Sequence, residues 1–558
     1  KDTPVRSTGA TDNWDWLQLL MSPKLVPVLL VVLISAVYLP SISHPFVFDD
    51  IPELVHNPDI LQLSGCLDTI SRSRNTGLSG RPVACLTFAA NMAVAGLSVR
   101  AFHLVNITIH LFSAMTLFGI VRRTMTRIQL PGTDSPTIMA GVIAALWALH
   151  PLQTESVTYI VQRIESLAGL WYLLTLYCAI RAWDSGKPIL WGMLCVVSCT
   201  LGMLTKEIVV TAPLVVFLYD KVFMHRAMSN APQRKTRLHL ALAATWIIPI
   251  VLNSRSPRGG SAGFGLGVSA IDYLRTQTGV IVHYLRLCFW PFPQAISYSD
   301  WPIVREWMPS LAPGLIVLIL LSVSIAGLIK RKWWGFCGAW FFLILAPSSS
   351  VVPIVTEPAA ERRMYLPLAG VITLTVFSLL HIIRVNRLTP RTQKTMTISL
   401  SMATIIALST VTIFRNAEYA TAVKILASTL TTRPGDELVR GALVEELIRE
   451  ERLDEAGQIH EEGIARNPDS YILYDNWARA ISAIGRHNEA IEAYSKAIEL
   501  RPDYYPSRAG LGVTLMELGR YLDALSQLQQ AARLAPNSFS IRGNMAVALS
   551  SLGRTGEA

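Results

Sequence analysis

Two adjacent carboxylates, Asp49 and Asp50, sit within Phe46-Val47-Phe48-Asp49-Asp50-Ile51-Pro52, directly after the first apolar run. Neighbouring carboxylates repel and burial raises their pKa values further, so such a pair titrates as a coupled unit. A carboxylate held there takes a proton from a hydroxyl as a general base. The same residues also suit a helix start, because Asp is a favoured N-cap and Pro52 fits a first turn. Spacing alone leaves both readings open. A second polar cluster comprises His150-Pro151-Leu152-Gln153-Thr154-Glu155, then Tyr159, Arg163 and Glu165. On a continuous helix Glu155, Tyr159 and Arg163 share one face, giving either a salt-bridged surface helix or one wall of a polar site. The third cluster is Glu357 with Glu361-Arg362-Arg363-Met364-Tyr365-Leu366-Pro367. Its two arginines suit a phosphate through charge-assisted bonds, and equally suit neutralising Glu357 and Glu361. Lys206-Glu207, Arg81 and His44 are further polar candidates. No Cys-x-x-Cys or His-rich metal spacing appears, so no metal site is expected.

The elements that must position these residues are membrane helices. The 558-residue chain is 51% hydrophobic and 16% charged, with a mean hydropathy of +0.39, as befits a polytopic membrane protein. Apolar runs occur near 25–40, 101–121, 137–149, 166–182, 188–205, 208–223, 238–252, 311–329, 333–346, 364–383 and 395–415, about eleven in all. Arg122, Arg123 and Arg127 follow the second run. Lys221, Arg226, Arg234, Lys235 and Arg237 follow the sixth, Lys330 to Lys332 the eighth, and Arg384, Arg387, Arg391 and Lys394 the tenth. By the positive-inside rule even-numbered spans end in the cytoplasm, and residues 1–24 form a cytoplasmic or interfacial segment. The external segments are then 41–100, 150–165, 253–310, 347–363 and everything past 416, and they hold the three polar clusters. Ile271 to Trp290 is interrupted by Asp272, Arg275, His283 and Arg286 and reads as an amphipathic interfacial or re-entrant helix.

Basic loops explain the net charge of +10, so no nucleic-acid partner is expected. Of the seven cysteines, Cys178, Cys195, Cys199, Cys288 and Cys337 lie in or beside apolar runs and read as small hydrophobes. Cys66 and Cys85 share the first long polar loop, where a disulfide is open to them if that loop is external.

Past residue 416 the pattern changes to a repeat. Pro434, Pro468, Pro502 and Pro536 are spaced by 34, and Ala456, Ala490, Ala524 and Ala558 keep the same period, as do Gly485, Gly519 and Gly553. This phase resembles the tetratricopeptide repeat (TPR), two antiparallel helices per unit. Ala478 and Gly512 take the tight helix-contact position, Tyr494 and Leu528 the large apolar one, and Glu451 replaces the inter-helix glycine of the first unit. Residues 417–433 keep the phase and read as the second helix of a partial repeat whose first helix is the last membrane span. The chain stops halfway through a repeat, which implies a continuation or a capping chain. Such arrays bind extended peptides on a concave face.

Taken together, several blocks resemble the transmembrane-and-TPR protein O-mannosyltransferases and their prokaryotic relatives, within the GT-C glycosyltransferase superfamily. They are Phe46 to Asp50 with Asn57-Pro58; Arg81-Pro82 with Phe102-His103-Leu104-Val105-Asn106; and His150-Pro151 through Glu155-Ser156-Val157 with Arg163-Ile164-Glu165-Ser166. Lys206-Glu207, Tyr298-Ser299-Asp300 and Glu361 through Pro367 complete the set. The resemblance implies an all-α protein, in which a GT-C-type transmembrane domain over 25–415 precedes an external TPR α-solenoid over 416–558. It implies transfer of a sugar, mannose first, from a polyprenyl- or dolichyl-phosphate carrier to a protein hydroxyl on the periplasmic or luminal face, with the repeats recruiting the acceptor. No cofactor is called for, since the lipid-linked sugar is a substrate. Asp49 becomes the base with Asp50 as its orienting neighbour, and Arg363, with Arg362 or Lys206, meets the leaving phosphate. His150, Glu155, Arg163, Glu361, Tyr365 and Arg81 are carried over as further site candidates. The relatives usually show His where this chain has Arg362, a departure that leaves the phosphate roles of the two arginines open, with a different donor as one reading. A transferase for lipid or surface glycans, a non-enzymatic TPR scaffold and a transporter are the competing classes. The transporter is disfavoured because the charges cluster outside the spans.

Overall fold

The computed structural model describes residues 24–61, 65–66, 77–128, 135–224, 232–255, 263–265, 267–350, 352–385, 389–536, 538–554 and 556–557. The expected N-terminal segment before residue 24, Arg226, Arg387 and Ala558 lie outside the described residues. Among those described, the structure is helical throughout and no strand is formed. The chain divides into two compact units. One comprises the residues up to Phe292 with Ile303–Ala420, the other Pro293–Pro302 with Thr421–Ala558.

The first unit contains α1 (Val26–Tyr38), α2 (Pro82–Ala95), α3 (Val99–Ile128), α4 (Pro136–Ala148), α5 (Arg163–Asp184), α6 (Pro188–Met203) and α7 (Ala212–Phe223). It continues with α8 (Pro232–Ala244), α9 (Ile247–Arg255), α10 (Ala270–Phe289), α11 (Met308–Ile329), α12 (Trp333–Leu345), α13 (Pro367–Val385) and α14 (Pro390–Glu418). Among the described residues six stretches are long and apolar enough to cross a membrane: Val26–Ser43, Val99–Ile128, Gln233–Leu252, Met308–Ile329, Pro367–Val385 and Pro390–Glu418. Pro136–Ala148 with Pro151–Val157, bent by 60°, adds a seventh if counted as one span. That falls short of the eleven apolar runs, because α6, α7 and α12 are 16, 12 and 13 residues long. At 1.5 Å per residue they reach only ~18–24 Å of a ~30 Å hydrocarbon core. Helix α5 carries Arg163, Glu165, Arg181 and Asp184 in its terminal turns. Over 270–289 the amphipathic pattern yields α10, which buries Tyr273, Gln277, Val280 and Tyr284 on one face.

The second unit is the repeat array. Helices α15 (Ala422–Thr432), α16 (Glu437–Arg449), α17 (Leu453–Arg466), α18 (Tyr471–Ala483), α19 (His487–Leu500), α20 (Tyr505–Glu517), α21 (Tyr521–Leu534) and α22 (Phe539–Ser551) follow in order. Ala456, Ala490 and Ala524 are fully buried where paired helices touch. The expected helix over 417–433 begins instead at Ala422, capped by Thr421, whose side chain accepts from the Lys424 N–H. Within this unit, the segment Pro293–Pro302 bonds to α15 and to the turn that follows it. The Ile296 N–H donates to Thr429 Oγ1, and Asp300 pairs with Arg433 at 2.7 Å. Asp436, the N-cap of α16, also accepts from the Ser297 and Ser299 hydroxyls.

Each first helix of a repeat ends in the same way. A left-handed residue follows, and the next N–H reaches back five positions, as in Arg486 to Ile481 and Arg520 to Leu515. Gly485, Gly519 and Gly553 have φ of 83°, 73° and 75° there. Glu451 holds the same turn at φ 61° with a Cβ, against a cost of about 1–2 kcal/mol. Glu451→Gly should therefore stabilise the α16–α17 hairpin by ~1 kcal/mol. Slower amide exchange confined to that hairpin is the expected result, and unchanged exchange would refute the strain.

Candidate active site

The first acidic loop is a tight turn around a strained residue. Phe48 adopts φ 49°, a left-handed conformation that bulky side chains avoid. The turn sends the two following carboxylates into different surroundings. Asp50 is fully buried and accepts the N–H of Val47 at 3.0 Å and of Val161 at 2.6 Å. It stands at the N-cap position of the π-turn Ile51–Val55 but does not cap it, so the helix-start reading of the sequence does not describe its bonds. Asp49 is half-buried. Its N–H donates to the Tyr159 hydroxyl at 2.8 Å, and that hydroxyl also bonds the Asp49 carboxylate.

Burial pushes the Asp49 carboxyl up to about 6, helped by the negative Glu357 and opposed by Arg362 and the Tyr159 hydrogen bond. Burial pushes Asp50 up to about 8, against the pull of backbone N–H groups from Val47, Val161 and Ile160. Of the two, Asp50 is the more strongly raised, being the more deeply buried.

The second cluster does not form one helical face. A one-turn helix, Thr154–Val157, ends before Tyr159, which is extended at ψ 110°, and a 3-10 turn, Ile160–Gln162, leads into α5. Because the helix breaks there, Glu155, Tyr159 and Arg163 diverge. Glu155 turns to Arg362, accepting from its Nη1 at 2.5 Å and its N–H at 2.7 Å. Tyr159 turns to Asp49. Arg163, fully buried, donates to Asn106 Oδ1 at 2.6 Å and to the carbonyls of Thr87 and Phe102, with Phe88 beneath its guanidinium. Asn106 in turn donates to the carbonyls of Val157 and Ile160, so α3 carries the loop that presents Tyr159.

Arg362 also pairs with Glu357. Burial opposes its charge, but Glu357 and Glu155 outweigh that and hold its pKa well above the usual range. Arg363 is directed elsewhere, donating to the carbonyls of Pro358 at 2.9 Å and Glu357 at 2.6 Å. Lys206 pairs with Glu165, and Arg81 with Glu207 at 3.3 Å. The Arg362 charge acts on both Asp49 and Lys206, which ties these pairs into one electrostatic cluster. Burial lowers the Lys206 pKa, and Glu165 opposes the shift.

The fold therefore brings together Asp49, Glu155, Arg362, Lys206 and Arg81 from the sequence candidates. It adds Tyr159, Glu165, Glu207 and Glu357 as their direct partners. Glu361 is buried, with its charge acting on Glu155 and on Arg415. His150 and Tyr365 bond to other neighbours. His150 Nδ1 accepts from the Leu152 N–H and its Nε2 meets the Cys288 carbonyl, while Tyr365 meets His110 at 2.9 Å. Asn106 carried no charge to mark it, and only the Phe102-to-Asn106 block singled it out. Cys66 and Cys85 form a disulfide, with Cα atoms 5.4 Å apart. Among the described residues no three His, Cys, Asp or Glu side chains are arranged to hold a metal.

Comparison with known proteins adds to this geometry. The Tetratricopeptide repeat family model matches residues 483–538. Protein O-mannosyl-transferase TMTC2 of Mus musculus is 34% identical over 206 residues, 34% of this chain and 23% of that protein. Protein O-mannosyl-transferase F38B6.6 of Caenorhabditis elegans is 24% identical over 459 residues, 78% of this chain and 60% of that protein. The chain thus spans about a quarter of the mouse relative's length. A solved structure of the MamA protein is 18% identical with a TM-score of 0.22, covering 24% of this chain and 74% of that one. The curated homologues are protein O-mannosyl-transferases of the TMTC family, and this chain carries the tetratricopeptide repeat at its C-terminal end.

The two aspartates separate by stability. Asp50→Asn puts an amide N–H against a buried backbone N–H and should cost about 1–3 kcal/mol. Asp49→Asn should cost well under ~1 kcal/mol, since only one half-buried hydroxyl contact changes. Thermal unfolding of the two variants checks this, and equal losses would contradict it.

Proposed function

We propose that this chain is a membrane glycosyltransferase that moves a sugar, mannose by the names of its relatives, onto serine or threonine hydroxyls of a protein. The donor is a polyprenyl-phosphate sugar, as the GT-C resemblance implies. The observation that carries the reading is Asp49: a half-buried carboxyl group held by Tyr159, with the Arg362 charge acting on it and on Lys206 alike.

The reaction is a single displacement with inversion. The acceptor oxygen attacks the anomeric carbon as its proton passes to Asp49. The bond from that carbon to the phosphate oxygen breaks, and its electron pair leaves with the phosphate. Arg362 and Lys206 stabilise that charge, each already oriented by buried carboxylates. Arg363, committed to backbone carbonyls, holds the loop that carries Arg362. Asp50 keeps the Asp49 turn in place. The Cys66–Cys85 bridge supports an active site in an oxidising compartment, on the outer or luminal face. The repeats engage the acceptor polypeptide.

Transfer from a radiolabelled polyprenyl-phosphate sugar to acceptor peptides tests the reading. Activity should rise with pH through about 6 and level off above it, because the base must be deprotonated. Asp49→Asn should lower kcat about 10²–10⁴-fold and abolish that titration. Full turnover by Asp49→Asn would eliminate the mechanism, and no transfer by the wild type would favour a scaffold. Arg362→Ala should lower kcat/KM for the same donor by about 10²-fold or more. An unchanged value would remove Arg362 from the phosphate site.

A further inference from the structure

A half-open apolar slot lies among α3, α5, α7, α12 and α13. Leu117, Ile128, Phe223, Trp333 and Phe377 are among its walls. The hydroxyls lining it are spent on one another or on the backbone. Thr124 Oγ1 and the Tyr219 hydroxyl are 2.7 Å apart, and Thr373 Oγ1 donates to the Ala369 carbonyl. Ordered water needs two to four polar partners, so this wall offers none a foothold.

The slot has a depth and a mouth. Along α3 it runs from Leu117 to Ile128, about eleven residues or ~16 Å at the helical rise. Half of a bilayer's hydrocarbon core is ~15 Å. One end coincides with the last residues of α3 and α7 and the first residue of α12. At that end the turn between α11 and α12 is Lys330-Arg331-Lys332. All three side chains are exposed, and none pairs with a carboxylate among the described residues. The hairpin is rigid there, since Gly327 and Gly335 touch so closely that a Cβ on Gly335 would lie 2.3 Å from the Gly327 carbonyl carbon. Lys332 directly precedes Trp333, which meets Phe377 edge-on in the wall at 5.1 Å. Neighbouring cations are already engaged: Arg127 with Asp184, and Arg123 over Tyr177.

We propose that this slot binds one acyl chain of an anionic glycerophospholipid, with its phosphate seated on Lys330, Arg331 and Lys332. The chain supplies the dispersion contacts that an empty apolar slot forfeits, and the cations select the headgroup charge. The site uses no residue of the Asp49 cluster and stands whether or not that cluster transfers a sugar.

Native mass spectrometry of the full chain, delipidated and titrated with phosphatidylglycerol or phosphatidylcholine of identical acyl chains, tests it. Phosphatidylglycerol should bind about tenfold more tightly. Replacing Lys330→Ala, Arg331→Ala and Lys332→Ala together should erase that preference. Thr373→Trp, which fills the slot, should lower binding of both lipids. A phosphatidylglycerol with a diazirine in its acyl tail should label wild-type peptides containing 117–128, 333–340 or 369–377, a readout that does not depend on either variant folding. Equal affinity for the two lipids, a preference that survives the triple substitution, or labelling confined to other peptides would each overturn the proposal.

Discussion

A single buried carboxylate ties the polar end of the membrane unit together. Asp50 accepts an N–H from its own loop and another from Val161, 111 positions later. Backbone N–H groups left unpaired in such a place carry a heavy desolvation cost, so these bonds fix both loops at once. The strain at Phe48 follows from the same constraint. A left-handed turn is the route by which the chain turns Asp50 inward and leaves Asp49 beside the Tyr159 hydroxyl. Asn106 and Arg163 buttress the far side of the latch from α3 and α5.

Around that latch, charge is arranged in closed pairs. Arg362 lies between Glu155 and Glu357, Lys206 on Glu165, and Arg81 on Glu207. Buried ions are tolerated only when paired, so each cation is held in orientation before any substrate arrives. Charge fixed in this way needs no reorganisation when a further charge is brought beside it. Burial first, and the negative Glu357 second, raise the proton affinity of Asp49, while Arg362 and the Tyr159 hydrogen bond oppose them.

Much of the architecture was legible in the residues. The 34-residue phase gave the repeats because every unit must bury the same small and large positions against its neighbours. Of the eleven apolar runs, six coincide among the described residues with helical stretches long and apolar enough to cross a membrane, while α6, α7 and α12 are shorter and α5 carries charges in its terminal turns. The site candidates were legible as types and not as roles. Arg362 and Arg363 are chemically identical neighbours, yet one meets two carboxylates and the other backbone carbonyls. The expected Glu155–Tyr159–Arg163 face failed because bonds from Asn106 to the Val157 and Ile160 carbonyls accompany a break that helical periodicity does not register.

The sequence by itself determined the all-helical class, the repeat array and the short catalogue of polar residues, since local periodicity and composition record which faces must be buried. Tertiary structure alone decided which aspartate faces inward. Two adjacent residues of one type differ only in direction, and direction is set here by a left-handed Phe48 and by a backbone N–H at Val161 that no local pattern foretells.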